Sequence, residues 1–201
     1  MAAFNIITNC FFPVKKYVFN KNKKDTIILI HGLYTSSGFW LSFFRLFKNY
    51  RIIAFDINYE KLLRSEYNRE HLKASFKVDG HIVGVISHSF GTVISDLVFD
   101  YENDKTHKIC PVAFSKRKEP NNFVLDILNK TPLSEESIIQ NIKLVNTFLS
   151  RMRDSLNCNG QIYVPTDDCY FLYDVPHKNI IQFEGDHFNI AIALNDIINN
   201  L

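Results

Sequence analysis

The sequence has little of what marks metal sites, nucleotide binding or membrane insertion. Its four cysteines, Cys10, Cys110, Cys158 and Cys169, are scattered and include no C-x-x-C pair. Neither a zinc centre nor a disulfide framework is indicated, and all four are read as reduced thiols. There is no H-E-x-x-H, no G-x-x-x-x-G-K and no G-x-G-x-x-G, which points to chemistry without a metal or cofactor. The formal net charge is +2, and basic residues gather only in the short clusters Lys21–Lys24 and Lys116–Lys118. That is too little to argue for a nucleic-acid partner. No apolar run approaches the roughly 18 residues of a membrane helix, and Met1-Ala2-Ala3-Phe4-Asn5 lacks the basic-then-apolar layout of a signal peptide. The expectation is a cytoplasmic protein with no membrane span. Internal repeats, low-complexity tracts and interdomain linkers are also missing.

At 201 residues the chain suits one domain, 1–201, with a sizeable core. Hydrophobic residues make up 46% and charged residues 22%, the balance of a soluble globular protein, and the eighteen phenylalanines imply an aromatic-rich core or an apolar ligand site. Tyr17-Val18-Phe19 reads as a short edge strand, followed by a polar turn over Asn20–Asp25. Thr26-Ile27-Ile28-Leu29-Ile30 is apolar without alternation, the pattern of a strand covered on both faces in a parallel sheet. It runs into His31-Gly32-Leu33 and a helix over Ser37–Lys48 that carries Trp40. Arg51–Asp56 is the next strand, Glu66–Phe76 a modest helix and Ile82–Ser87 another strand.

Lys108–Phe114 is a further strand, weakened by Pro111, and helices follow over Asn122–Lys130 and Ser134–Arg153. The second helix has a capped start at Ser134-Glu135-Glu136 and a face of Ile138, Ile142, Val145, Leu149 and Met152. Residues 115–156 are therefore either a helical lid-like insertion over a cleft or a layer packed on the sheet. Strands over Gln161–Val164 and Asn179–Phe183 and a helix over Asn189–Asn199 complete the chain. Alternating strands and helices imply an α/β fold with a doubly wound, mostly parallel sheet. In such a sheet, functional groups gather at the carboxyl ends of the strands.

The most informative stretch is Ser87-His88-Ser89-Phe90-Gly91, between the β-branched run Ile82–Ile86 and the apolar-periodic Thr92–Val98. Strand, sharp turn, helix is the layout of a nucleophile elbow, with Ser89 at its apex. Small residues two before and two after the nucleophile are needed because strand and helix pass close together there. Gly32 lets the chain turn so that the Leu33 amide can point into a cleft, and the Phe90 amide is its natural partner in an oxyanion hole. A serine nucleophile needs a base and a carboxylate to orient it. His187, directly after the last strand, is the best-placed base. Asp168 in Pro165-Thr166-Asp167-Asp168 is favoured as the acid, with Asp167 as the alternative.

These parts together resemble the α/β-hydrolase superfamily from about Thr26 to the C-terminus. The resemblance rests on Ile30-His31-Gly32-Leu33 with Trp40, the elbow Ser87–Gly91, Asp168 and Gly185-Asp186-His187. It implies Ser89 as nucleophile, His187 as base and then acid, Asp168 as orienter, and the Leu33 and Phe90 amides as oxyanion hole, with no cofactor. The expected reaction is hydrolysis of a small-molecule ester or thioester, free or carrier-bound, with an apolar acyl group or an aromatic substrate. An acyl transferase, cyclase or lyase using the same triad, or a catalytically silent binding module, is the alternative. Three positions depart from the family pattern: Ser87 stands for a glycine, Asp56 precedes Ile57-Asn58-Tyr59-Glu60 instead of a glycine-rich turn, and Pro165 stands where a glycine is common. A chain this short also implies trimmed loops or a missing early strand.

Overall fold

The unbroken apolar run of β3 (Asp25–Ile30) has a simple origin. Successive side chains of a strand point to opposite faces, and here both faces are covered. Ile28 and Ile30 are buried in one hydrophobic cluster, Ile27 and Leu29 in another. The neighbouring β4 (Arg51–Ile57) divides in the same way, with Ile53, Phe55 and Ile57 on the first side and Ile52 and Ala54 on the second. The computed structural model describes residues 7–8, 14–64, 69–99, 105–118, 122–152, 160–173 and 180–201.

Among the described residues its main sheet has eight strands. They run in the order β1 (Ile7–Thr8), β2 (Val14–Phe19), β4, β3, β5 (His81–His88), β6 (Thr106–Ile109), β8 (Gln161–Pro165) and β10 (Ile180–Phe183). The β1/β2 and β2/β4 pairs are antiparallel, and all other pairs in the sheet are parallel. The remaining strands, β7 (Ser115–Arg117) and β9 (Phe171–Tyr173), form a small antiparallel sheet of their own.

Helices cover both faces. On one side α1 (Tyr59–Arg64), α2 (Arg69–Ser75), α3 (Gly91–Val98) and α5 (Glu135–Met152) contribute Leu62, Leu72, Leu97 and Phe148. On the other, a 3-10 helix over Ser37–Phe43 and α6 (Ala191–Asn200) contribute Trp40, Leu194 and Ile197. Each such buried side chain contributes about 1.5–3 kcal/mol. The shorter α4 (Phe123–Lys130) precedes α5. Among the described residues no helix is long and apolar enough to cross a membrane.

Several expectations are corrected. The strand read at Tyr17–Phe19 is longer and is not an edge, because β1 pairs outside it, and it is the strand that runs against the rest of the sheet. The helix expected over Ser37–Lys48 is a 3-10 helix that stops at Phe43, closed by i to i−3 bonds such as Phe44 N to Leu41 O. The strand expected over Lys108–Phe114 ends at Ile109. Cys110 turns left-handed at φ 53° and Pro111 has no N–H to offer a ladder, so the chain leaves the sheet through a 3-10 turn at Val112–Phe114. The helix α1 and the strand β9 carry no clear sequence signal because each is too short to show periodicity. Ser134 caps α5 as expected, its Oγ accepting from the Ser137 amide at 3.2 Å. Glu66, Arg153 and Asn179, proposed ends of elements, lie outside the described residues, as do Cys10 and Cys158. Cys110 and Cys169 form no disulfide.

Beneath α3 lies a buried ion pair, Lys108 Nζ to Asp96 Oδ1 at 2.5 Å, with both side chains at most 5% exposed. Desolvating two charges is tolerable only while each has its partner. Asp96→Ala is therefore expected to lower stability by about 3–5 kcal/mol in urea unfolding, whereas replacing both residues by apolar ones of similar volume recovers most of that loss.

Candidate active site

The elbow is built from backbone strain and its compensation. Between the end of β5 at His88 and the start of α3 at Gly91, Ser89 adopts φ 53°. A non-glycine residue held in the left-handed region costs about 1–3 kcal/mol. Three hydrogen bonds offset it at about 1 kcal/mol each. The Ser89 amide donates to the Ile109 carbonyl at 2.9 Å, and the Ser89 carbonyl accepts from the Thr92 amide at 3.1 Å and the Thr92 hydroxyl at 2.7 Å. Gly91 is required by contact: a Cβ there would stand 2.5 Å from the His31 carbonyl oxygen and 2.8 Å from that of Ile30. Ser87, in place of a glycine, is fully buried, and its hydroxyl donates to the His107 carbonyl at 3.3 Å and lies 3.2 Å from Ser95 Oγ.

Ser89, His187 and Asp168 come together although 98 and 19 residues separate them in sequence. His187 Nδ1 lies 2.8 Å from Asp168 Oδ2 and Nε2 lies 3.0 Å from Ser89 Oγ. A carboxylate only accepts, so Nδ1 carries the proton and Nε2 is left to accept from the serine. Asp168 takes three further bonds, from the Tyr170 and Phe171 amides to Oδ1 at 2.8 and 3.1 Å and from the Tyr173 hydroxyl to Oδ2. Burial alone would raise its pKa, but the His187, Tyr173 and Tyr170 contacts outweigh burial and hold the carboxyl below its ordinary value. Asp167 is exposed and only its amide reaches the loop that carries His187, donating to the Gly185 carbonyl at 3.1 Å. Asp186 accepts from the Phe188 and Asn189 amides at 2.8 and 2.9 Å and fixes the turn that presents His187.

The loop after β3 runs against Ser89. At Gly32 a Cβ would lie 2.9 Å from Ser89 Cβ and 3.2 Å from His88 Nδ1. Leu33 and Phe90 border the same cavity as Ser89, and among the described residues neither backbone N–H meets an acceptor. His31 anchors this loop: it accepts from the Ile57 amide through Nε2 at 2.9 Å and so donates through Nδ1 to the Gly32 carbonyl at 2.8 Å. Burial pushes its pKa down. His88 stacks on Phe39 with centroids 4.7 Å apart and donates from Nε2 to the His187 carbonyl at 2.7 Å. Burial first, then the nearby His187, lowers its pKa to about 3.

Above Ser89 opens a cavity of ≈ 250 Å³. Its apolar wall includes Val112, Phe123, Ile127, Ile142, Val145 and Leu149, with Arg117 and Lys130 among its polar lining. The α5 face thus divides: Ile138 and Phe148 are buried, while Ile142, Val145 and Leu149 border the cavity. The ligand atoms of Cys110, Asp168 and His187 lie within 4.8 Å of one another. As metal donors they are poorly suited: the Cys110 thiol is pushed well up by burial, and Asp168 already accepts four hydrogen bonds. Tyr170 and Phe171, whose rings lie beside His187, and Tyr173, whose hydroxyl donates to Asp168, escaped sequence reasoning because these are contacts between segments distant in sequence or set by a local turn.

Folded His88 stays neutral down to about pH 3, whereas an unfolded histidine takes up its proton near 6.5. The unfolded state therefore binds more protons in that window, and stability falls as pH drops from 6.5 towards 3, with His31 acting in the same direction. The slope expected from His88 is up to about 1.4 kcal/mol per pH unit. Urea midpoints at pH 7, 6 and 5 measure it, and His88→Gln is expected to flatten the dependence.

No family model and no curated protein sequence matches the chain. Solved structures do. A bacterial membrane phospholipase A aligns over 99% of this chain and 87% of its own at 14% identity and TM-score 0.62. A haloalkane dehalogenase from Agrobacterium tumefaciens C58 aligns over 98% and 96% at 13% identity and TM-score 0.61. The thioesterase domain of the curacin biosynthetic pathway aligns over 98% and 99% at 12% identity and TM-score 0.57. With its strand order, antiparallel outer pair, strand-elbow-helix unit and these likenesses over nearly the whole length, the chain has the α/β-hydrolase fold.

Proposed function

We propose that the protein is a serine hydrolase, an esterase or thioesterase, that cleaves a small-molecule carboxylic ester or thioester through an acyl-enzyme on Ser89. The observation that carries this reading is the continuous chain of Ser89 Oγ, His187 Nε2, His187 Nδ1 and Asp168 Oδ2, at 3.0 and 2.8 Å, beneath an apolar cavity. Ser89 Oγ attacks the carbonyl carbon as its proton passes to His187 Nε2, and Asp168 stabilises the imidazolium. The developing oxyanion accepts from the Leu33 and Phe90 amides, a donor pair of which each member is worth about 3–4 kcal/mol in the transition state. The leaving oxygen or sulfur departs with the proton from His187. Water, deprotonated by the same nitrogen, then attacks the acyl-enzyme and releases the acid and free Ser89.

The apolar wall suits an apolar acyl group or an aromatic substrate, and the names of the phospholipase and thioesterase neighbours favour ester and thioester cleavage. In this reading residues 115–156 are a lid-like insertion whose α5 face closes the acyl site. Labelling by a fluorophosphonate is expected to add one adduct, on Ser89, and none on Ser89→Ala. Ser89→Ala and His187→Ala are each expected to lower kcat by about 10⁴–10⁶-fold. Asp168→Asn is expected to lower it by about 10⁴-fold and Asp167→Asn to have little effect, measured with esters of graded acyl length. Folded protein that takes up no label would reject the reading.

A further inference from the structure

Two cations that border the cavity have no part in the chemistry just described. Lys130 Nζ sits 5.0 Å above the centre of the Phe188 ring, and that ring lies edge-on to the His187 ring with centroids 5.2 Å apart. Arg117 pairs with Phe171 across the β7/β9 ribbon, and the Phe171 ring is 5.3 Å from His187. Lys130 is thus one aromatic ring away from the imidazole, and Arg117 is the strand partner of another such ring, with its charge also felt at the Tyr34 hydroxyl. Both border the cavity, and among the described residues no Asp or Glu borders it with them. Among the described residues neither Arg117 nor Lys130 meets a carboxylate. The nearby acids are engaged elsewhere: Asp168 by His187, Asp126 by the Tyr170 hydroxyl, and Asp186 by the Phe188 and Asn189 amides. Both cations are exposed, which places positive charge at the cavity mouth beside an apolar interior.

The position of the charges matters because His187 Nε2 delivers its proton to the departing atom, so the leaving group lies nearest the histidine and its aromatic neighbours. We infer that the leaving group of the substrate carries an anionic group, a phosphate or carboxylate, bound by Arg117 and Lys130. This rests on the hydrolase reading above. Arg117 offers a planar fork that matches either oxyanion bidentately, and Lys130 a point charge held in place over Phe188. The acyl chain takes the apolar wall formed by α4 and α5, while the anion stays at the wet mouth, which avoids burying its charge.

The test compares hexanoyl esters of glycerol 3-phosphate and of glycerol, and hexanoyl thioesters of phosphopantetheine and of pantetheine. In each pair the members differ by one phosphate, and the two pairs separate a lipid-type headgroup from a carrier-type thiol. At low salt, kcat/KM is expected to favour the phosphorylated member of at least one pair by roughly tenfold, the contribution of two solvent-exposed ion pairs. That preference shrinks at 0.5 M salt, approaches one in Arg117→Gln/Lys130→Gln and inverts in Arg117→Glu/Lys130→Glu. Calorimetric binding of the same compounds to Ser89→Ala protein is expected to show the same preference without turnover. Equal binding of the phosphorylated and unphosphorylated members, or a preference untouched by the charge variants, overturns the inference. Loss of fluorophosphonate labelling instead overturns the hydrolase reading, and the binding comparison still decides whether the mouth selects anions.

Discussion

The left-handed turn at Ser89 is the constraint on which the rest of the site depends. At φ 53° the residue leaves the line of β5 before α3 begins, which lifts its side chain out of the packed strand-helix junction. The turn closes only if the backbone of α3 can come against the end of β3, and the absent Cβ of Gly91 beside the His31 and Ile30 carbonyls is what allows it. The same approach puts the Leu33 and Phe90 amides on the borders of one cavity. Strain, close packing and the proposed oxyanion site are therefore one arrangement, and none of them is adjustable alone.

The other strand ends are laced to it by backbone hydrogen bonds. Ser89 donates to Ile109, Cys110 to Tyr163, Thr166 to Phe183 and Asp167 to Gly185, so β5, β6, β8 and β10 are tied in sequence at their carboxyl ends. The loops that carry Ser89, Asp168 and His187 inherit their spacing from the sheet. Around His187 the rings of Tyr170, Phe171 and Phe188 pack with centroids at 5.7, 5.3 and 5.2 Å, which thins out water near the imidazole. In such surroundings the four bonds on Asp168 and the single one on His187 Nε2 are stronger than they would be in water.

The cavity above this frame is made by a different part of the chain. Its apolar wall comes largely from α4 and α5 and its cations from β7 and α4, all inserted between β6 and β8. The frame itself accommodates a phospholipase, a dehalogenase and a thioesterase among the solved structures it resembles. In the proposed reading, selectivity lies in the wall that α4 and α5 add, because the fold alone does not choose a substrate.

Much of this was legible in the sequence. The doubly wound parallel sheet follows from runs such as Thr26–Ile30, whose lack of alternation already demands cover on both faces. The elbow is legible because its signal is local: a β-branched run, a turn with small residues at Ser87, Ser89 and Gly91, then helical periodicity. His187 and the pair Asp167-Asp168 follow from the rule that loops leaving parallel strands meet at one edge. What the sequence could not decide is everything that depends on where a loop comes back. Asp168 and not Asp167 faces His187 because the chain turns at Cys169 so that the Tyr170 and Phe171 amides seize its Oδ1, and no spacing rule encodes that turn. The division of α5 between core and cavity, the Tyr173 hydroxyl on Asp168, and the two cations beside the aromatic neighbours of His187 are likewise contacts between segments distant in sequence. Local periodicity sets which faces are apolar; only the packed tertiary structure sets which apolar face meets the core and which is left to line a cavity.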